Sequence, residues 1–176
     1  SRSAFKLIEL KRKYKFIKKD TKLLDIGAYP GGWSQVSSKI ITGGKILSID
    51  IKKMEKLKNV SFLQCDFLEQ NTKEKILNFF KEELDVVLSD MAADTTGNKS
   101  LDSIRTNKLC AEVIEFSTKI LKHNGVLVSK LFMGDDFIEV KELAKSKFKK
   151  VEFFKPEASK RESKETYIHC ALLKPL

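Results

Sequence analysis

A chain of 176 residues, 41% hydrophobic and 33% charged, has the length and composition of one folded domain and excludes a disordered or repetitive polypeptide. No apolar run approaches the roughly 18 residues of a membrane span, and no signal peptide opens the sequence. Three cysteines without CxxC spacing (Cys65, Cys110 and Cys170) argue against a disulfide framework or a zinc site; they point to a reducing, cytoplasmic setting, or a mitochondrial one if the source is eukaryotic.

The net charge is +10, carried by 34 basic residues of which only four are arginine. Residues 1–22 hold nine Lys and Arg against two acids, residues 141–165 hold nine against five, and the rest of the chain is close to neutral. If the fold brings these two segments together, they form one face for a polyanion such as nucleic acid. The alternative is a solvated surface produced by a lysine-rich coding bias.

After the basic opening segment, a hydrophobic strand at 22–27 runs into Gly27-Ala28-Tyr29-Pro30-Gly31-Gly32-Trp33-Ser34-Gln35 and then a helix. Glycines after a first strand let the backbone approach a ligand at the carboxyl edge of a sheet. The spacing is not GxGxxG, which counts against a pyrophosphate-cradling loop and an NAD enzyme. A second strand, 45–51, carries Asp50, placed 23 residues after Gly27 to accept hydrogen bonds from a ribose diol. A third, 60–65, is followed by Asp66, where an acid can bind the exocyclic amine of adenine. Taken singly, each acid is as readily a helix cap. Together with the glycines they describe a site for an adenosine without phosphates.

Ile76, Leu77, Phe79 and Phe80 mark a helix before the fourth strand, 84–89. Leu109, Val113, Phe116 and Ile120, with Cys110, Ile114 and Leu121, form an apolar stripe at helical spacing. A fifth strand, 125–132, follows. Phe137, Val140, Leu143, Ala144 and Phe148 mark another core-facing helix, before strands at 151–154 and 166–173. Strands separated by helices pair in parallel through right-handed crossovers. The charged segment 155–165 contains Pro156 and no apolar stripe, so the chain reverses there and the last strand is antiparallel. One α/β domain over 1–176 results: a Rossmann-like, seven-stranded, mostly parallel sheet with an antiparallel last strand. That is the outline of an S-adenosylmethionine-dependent methyltransferase, although doubly wound sheets host many functions.

Within that outline, Ser89-Asp90-Met91-Ala92-Ala93-Asp94 after the fourth strand lacks the Asn/Asp-Pro-Pro-aromatic sequence of enzymes that methylate exocyclic amines. Methylation of cytosine carbon needs a cysteine nucleophile at this edge, and Cys65 and Cys110 both look like core residues. An oxygen nucleophile remains. A hydroxyl of that kind needs a base. His169, between Ile168 and Cys170, reads as a sheet histidine, and His123 lies beside a turn. Lys130, inside Val126-Leu127-Val128-Ser129-Lys130-Leu131-Phe132, is the alternative, since a lysine in so apolar a strand must be paired, neutralised or at its end.

These residues, taken in order, resemble the FtsJ-type ribosomal RNA 2′-O-ribose methyltransferases over essentially the whole chain. Ser1-Arg2-Ser3-Ala4-Phe5-Lys6-Leu7 resembles the family's basic amino-terminal helix, and Asp25-Ile26-Gly27 through Val36 its cofactor loop. Ser89-Asp90-Met91-Ala92 and Val128-Ser129-Lys130-Leu131-Phe132 resemble its fourth and fifth strand ends. Lys155-Pro156 and the run Ser159–Tyr167 resemble its carboxyl-terminal hairpin. The resemblance implies a catalytic Lys6, Asp90, Lys130, Glu165 tetrad and an S-adenosylmethionine site at Gly31, Trp33, Asp50, Asp66 and Asp90. It implies RNA as partner, most often a uridine of large-subunit ribosomal RNA, with no metal, no membrane and a monomeric enzyme. It also implies a short basic segment upstream of Ser1.

Two positions depart from the family pattern: Ala93 stands where it usually has proline, and Tyr29 where it usually has a small residue. The same chemistry on transfer RNA or an mRNA cap, and a catalytically silent RNA-binding module, are the other readings. Without an aromatic-rich base-reading motif of the RRM kind, recognition would rest on RNA shape and phosphate contacts.

Overall fold

The computed structural model describes residues 1–175. Seven strands form one sheet: β1 (Lys22–Ile26), β2 (Lys45–Asp50), β3 (Ser61–Gln64), β4 (Leu84–Ser89), β5 (Leu121–Phe132), β6 (Phe148–Phe154) and β7 (Glu165–Leu173). Their order across the sheet is β3-β2-β1-β4-β5-β7-β6. β1 to β5 pair in parallel, and β7 is antiparallel to both β5 and β6. The antiparallel last strand expected from the loop at 155–165 is therefore present, inserted between β5 and β6.

Two helical layers cover the sheet, because the central strands are apolar on both faces. Leu7 and Leu10 of α1 (Arg2–Tyr14) and Trp33 of α2 (Gly32–Ile40) pack on Leu23, Ile46, Val86, Leu88, Val128 and Tyr167. On the other face, α3 (Gln70–Phe80), α4 (Lys99–Ile120) and α5 (Phe137–Lys147) bury Ile76, Phe80, Val113, Ile114, Phe116 and Val140 against Leu24, Leu47, Val87, Leu127 and Ile168. Residues that alternate along one strand thus serve different layers.

Two boundaries differ from the sequence expectation by three residues or more. Leu121 and Phe148 continue the apolar stripes of α4 and α5, yet both have extended backbones and open β5 and β6. Helix passes into strand without an intervening turn, and both elements bury their side chains in the same core, so hydrophobic phase alone does not mark the change. β5 also begins before 125: Leu121 pairs with Leu84, and the register shifts before Val126 pairs with Val86.

The sheet order carries the hairpin back to the amino terminus. Glu9 on α1 accepts backbone hydrogen bonds from Glu157 at 2.7 Å and Ala158 at 3.0 Å. Lys155 closes the same loop by donating to the Ser163 and Glu165 carbonyls at 2.6 and 2.8 Å. The amino-terminal basic segment is therefore a neighbour of the hairpin that ends the second one, whereas Lys141, Lys145 and Lys147 belong to α5 in the layer across the sheet. Replacing Glu9 by alanine removes two charge-assisted bonds and is expected to cost about 1–2 kcal/mol of stability, measured by urea unfolding, with earlier proteolysis in the 155–165 loop.

Candidate active site

The carboxyl ends of β1, β2, β3 and β4 surround a cavity of about 430 Å³, lined by Gly27, Tyr29, Asp50, Asp66, Phe67 and Asp90 among others. Gly27 has φ 71°, and a Cβ there would lie 2.5 Å from Cγ of Met91, so no side chain fits between the first strand end and the fourth. Asp50 accepts from the Tyr29 and Lys52 amides at 2.9 and 2.8 Å, and Asp66 accepts from the Leu68 amide at 2.9 Å. Neither acid is a helix cap, since Glu69 holds that position for α3; both hold their own turns and also face the cavity. Of the charged residues lining the cavity, Asp50, Asp66, Asp90 and Asp94 are acidic and only Lys52 is basic. Such a wall repels phosphates and suits a ligand with a diol, a flat base against Ile49, Phe67 and Leu109, and a positive charge.

Gly31 and Trp33, the other two residues implied for the cofactor, do not line this cavity. Gly31, with φ 118°, caps α2 in a conformation that favours glycine. Trp33 is buried, and its indole Nε1 donates to the Ser3 carbonyl at 2.8 Å. Both shape the loop from behind. Cys65, expected in the core, is only half-buried and does line the cavity, while Cys110 and Cys170 are buried.

Lys6, Asp90, Lys130 and Glu165 converge beside this cavity, from α1, the end of β4, β5 and β7. Lys6 Nζ lies 2.8 Å from Glu165 Oε2, and Lys130 Nζ lies 3.3 Å from both Glu165 Oε1 and Asp90 Oδ1. Register explains the meeting: Lys130 is opposite Tyr167 and Phe132 opposite Glu165, so Lys130 and Glu165 share one sheet face two residues apart. Their four side chains are only 10–16% exposed, a degree of burial at which a charge must be paired. Each is. Glu165 also accepts from Ser159 Oγ at 2.9 Å, and Asp90 from the Tyr167 hydroxyl at 2.6 Å. Ser159 and Tyr167 lie inside the hairpin motif, but nothing in their spacing shows where their hydroxyls point.

Burial would lower the pKa of Lys130, but the Asp90 and Glu165 carboxylates outweigh it and hold the ammonium above its ordinary range. Glu165 shows the converse: burial pushes its carboxyl up, and Lys130 and Lys6 bring it below the usual carboxylate range. In the ligand-free protein this is a doubly compensated ion cluster. His169 is no rival base. It is stacked 3.8 Å from Tyr14, its Nδ1 is without a hydrogen-bond partner, and burial brings its pKa down to about 4. Among the described residues, no group of three or more His, Cys, Asp and Glu side chains has the placement to hold a metal.

Behind the glycine loop, Asp25 is fully buried and accepts from Ser34 Oγ at 2.7 Å, and Ser34 in turn bonds Ser48 at 2.6 Å. Its other oxygen has no partner, and burial pushes its carboxyl up to about 7. A buried acid with one unpartnered oxygen is more stable holding its proton.

Comparison with known proteins bears on what this arrangement does. A profile of the FtsJ-like methyltransferases matches residues 1–172. The ribosomal RNA large subunit methyltransferase E of Pelagibacter ubique is 44% identical over 174 residues, covering 99% of this chain and 86% of that protein. A solved structure described as a candidate ribosomal RNA methyltransferase of Plasmodium falciparum superposes with a TM-score of 0.86 at 31% identity, covering 98% of this chain and 97% of that one. A candidate methyltransferase of Streptococcus mutans, solved in complex with SAH, has a TM-score of 0.59 at 15% identity over 93% of this chain and 95% of that one, a likeness of fold alone.

Asp25 makes stability depend on pH in a defined direction. The folded chain keeps this proton up to about pH 7, whereas the unfolded chain releases it near pH 4, so Asp25 costs stability progressively as pH rises through that window. Asp25→Asn is expected to remove this slope. Compared by urea unfolding at pH 5 and pH 8, the variant should gain on the order of 2–4 kcal/mol relative to the parent at the higher pH.

Proposed function

The chain belongs to the FtsJ-like methyltransferase family, and from that premise we propose that it transfers the methyl group of S-adenosylmethionine to a ribose 2′-hydroxyl of large-subunit ribosomal RNA. The observation that carries this reading is the double position of Asp90, which lines the acidic cavity and is also bonded to Lys130. Donor site and base site meet at that one side chain.

The cavity fits the donor in its own chemistry. Asp50 and Asp66 offer acceptors to a ribose diol and an exocyclic amine, Phe67 and Leu109 offer apolar walls, and the excess of acids favours a cationic ligand. When bound, S-adenosylmethionine supplies a methyl group already activated on a positively charged sulfur. What remains for the protein is to place the acceptor oxygen and take its proton. Lys130 is the base: its neutral amine accepts the 2′-hydroxyl proton on Nζ, and Asp90 and Glu165 stabilise the ammonium that forms. Lys6, paired with Glu165, keeps that carboxylate from holding Lys130 too strongly and offers a donor at the same mouth. A positive charge placed against Asp90 weakens its hold on Lys130, which favours the neutral amine when the donor site is filled. Basic residues of 1–22 and of the neighbouring hairpin 155–165 give an RNA backbone its counter-charge, and the names of the relatives support a ribosomal substrate.

Lys130→Ala is expected to lower methyl transfer by at least about a thousandfold while calorimetry shows donor affinity within about threefold of the parent. In the parent, the rate should rise with pH through neutrality into the alkaline range, because the base works only when deprotonated and its partners hold the proton on. Near-normal turnover of Lys130→Ala would remove lysine as the base. The substrate is tested by mapping 2′-O-methyl sites in total RNA from cells with and without the gene. Loss of a large-subunit site is expected, and loss confined to transfer RNA would reassign it.

A further inference from the structure

Asp90 is fixed by more than its ion pair. Its Oδ1 accepts from the Tyr167 hydroxyl at 2.6 Å and faces Lys130 Nζ at 3.3 Å, while its Oδ2 accepts from Ser3 Oγ at 3.4 Å. Tyr167 is fully buried in the sheet, and its ring lies 5.6 Å from that of Trp33. Trp33 returns to Ser3 through its indole bond to the Ser3 carbonyl. Tyr167, Asp90, Ser3 and Trp33 thus close a ring of contacts between β7, the end of β4, α1 and α2. A buried phenol needs a partner for its hydroxyl, and here that partner is a carboxylate one bond from the proposed base.

We propose that Tyr167 is a positioning residue of the methyl-transfer site: its hydroxyl fixes the Asp90 carboxylate, with Ser3 and Trp33 as the second support, so that Asp90 and Glu165 share Lys130 in one orientation. The role rests on Lys130 being the base, as argued above. It carries an electrostatic consequence. A hydrogen bond donated to Asp90 Oδ1 draws negative charge from the oxygen that faces Lys130. The charged and titratable groups around Lys130 are Asp90 from the end of β4, Glu165 and Tyr167 from β7, and Lys6 from α1 across Glu165. Without the hydroxyl, Asp90 holds the ammonium more firmly, and Lys130 gives up its proton only at higher pH. Tyr167 itself stays a donor throughout, because burial and then the nearby Asp90 and Glu165 carboxylates raise its own pKa far above the phenol range.

Tyr167→Phe keeps the ring and removes one oxygen. With large-subunit ribosomal RNA as acceptor, the variant is expected to lose about tenfold in kcat at pH 7, with KM for S-adenosylmethionine within about twofold. The rising limb of its pH–rate profile should move to higher pH, so that the deficit shrinks as pH rises. A lysine Nζ NMR titration of the ligand-free protein, with Lys130 assigned by Lys130→Arg, should show Lys130 titrating at higher pH in the variant. An equal loss at every pH with an unmoved Lys130 titration makes the role merely structural and overturns the proposal, as does no change in either. If the parent chain methylates no RNA, the reading of the site fails instead, and the Lys130 titration still decides for or against Tyr167. Should Tyr167→Phe fail to fold by circular dichroism, Ser3→Ala removes the support on Oδ2, with a smaller displacement of both readouts in the same direction expected and none overturning the proposal.

Discussion

Two ammonium groups and two carboxylates occupy one largely buried place in this protein, and that is tolerable only because each faces the opposite charge. Removing a single member would leave an uncompensated charge out of water, which costs several kcal/mol. The pairing needs Lys6, Asp90, Lys130 and Glu165 on four different elements, and the fold supplies that meeting. β7 must return between β5 and β6 for Glu165 to share a face with Lys130. α1 must lie over that face for Lys6 to reach Glu165. The reversed last strand is therefore a condition for the cluster, and the bonds from the hairpin to Glu9 hold α1 beside it.

Beside the cluster, the same sheet edge builds a cavity of opposite character, acidic and open to a ligand. The two share Asp90. Under the proposed function, a carboxylate that lines the cavity and pairs with Lys130 would couple the occupancy of one site to the basicity of the other, without any moving part. Tyr167 and Ser3 bond that carboxylate on its two oxygens and fix its orientation. Deeper still, Asp25, Ser34 and Ser48 tie β1, α2 and β2 together under the glycine loop. Their bonds are local and buried, and they hold the loop from the side that the ligand never reaches.

Much of this was legible in the residues. The alternating strands, the strand-end acids Asp50 and Asp66, the reversal at 155–165 and the oddity of a lysine in an apolar strand each follow from period, position or the cost of burial. The basic ends were visible as clusters, though not that the first adjoins the hairpin of the second. What was not legible is instructive. Trp33 sits in a motif implied for the cofactor, yet its indole turns inward to Ser3. Cys65 has core-like neighbours in sequence but stands in the cavity wall, because it lies just past the end of β3, the short strand at the sheet edge. Leu121 and Phe148 kept helical phase while belonging to strands.

The sequence by itself determined the kind of chemistry available: a sheet with acids at its strand ends, a loop that cradles no pyrophosphate, and two lysines and two carboxylates in motifs of one family. Tertiary structure alone decided their electrical state. Whether Lys130 is held as an ammonium or released as an amine depends on burial working against two carboxylates, and those opposing contributions are set by distances of about 3 Å between residues far apart in the chain. The same holds for Asp25, whose raised pKa comes from burial that no pattern of neighbours in sequence could specify. Residue type states what a group can do, and the packing around it determines which of its charge states is stable.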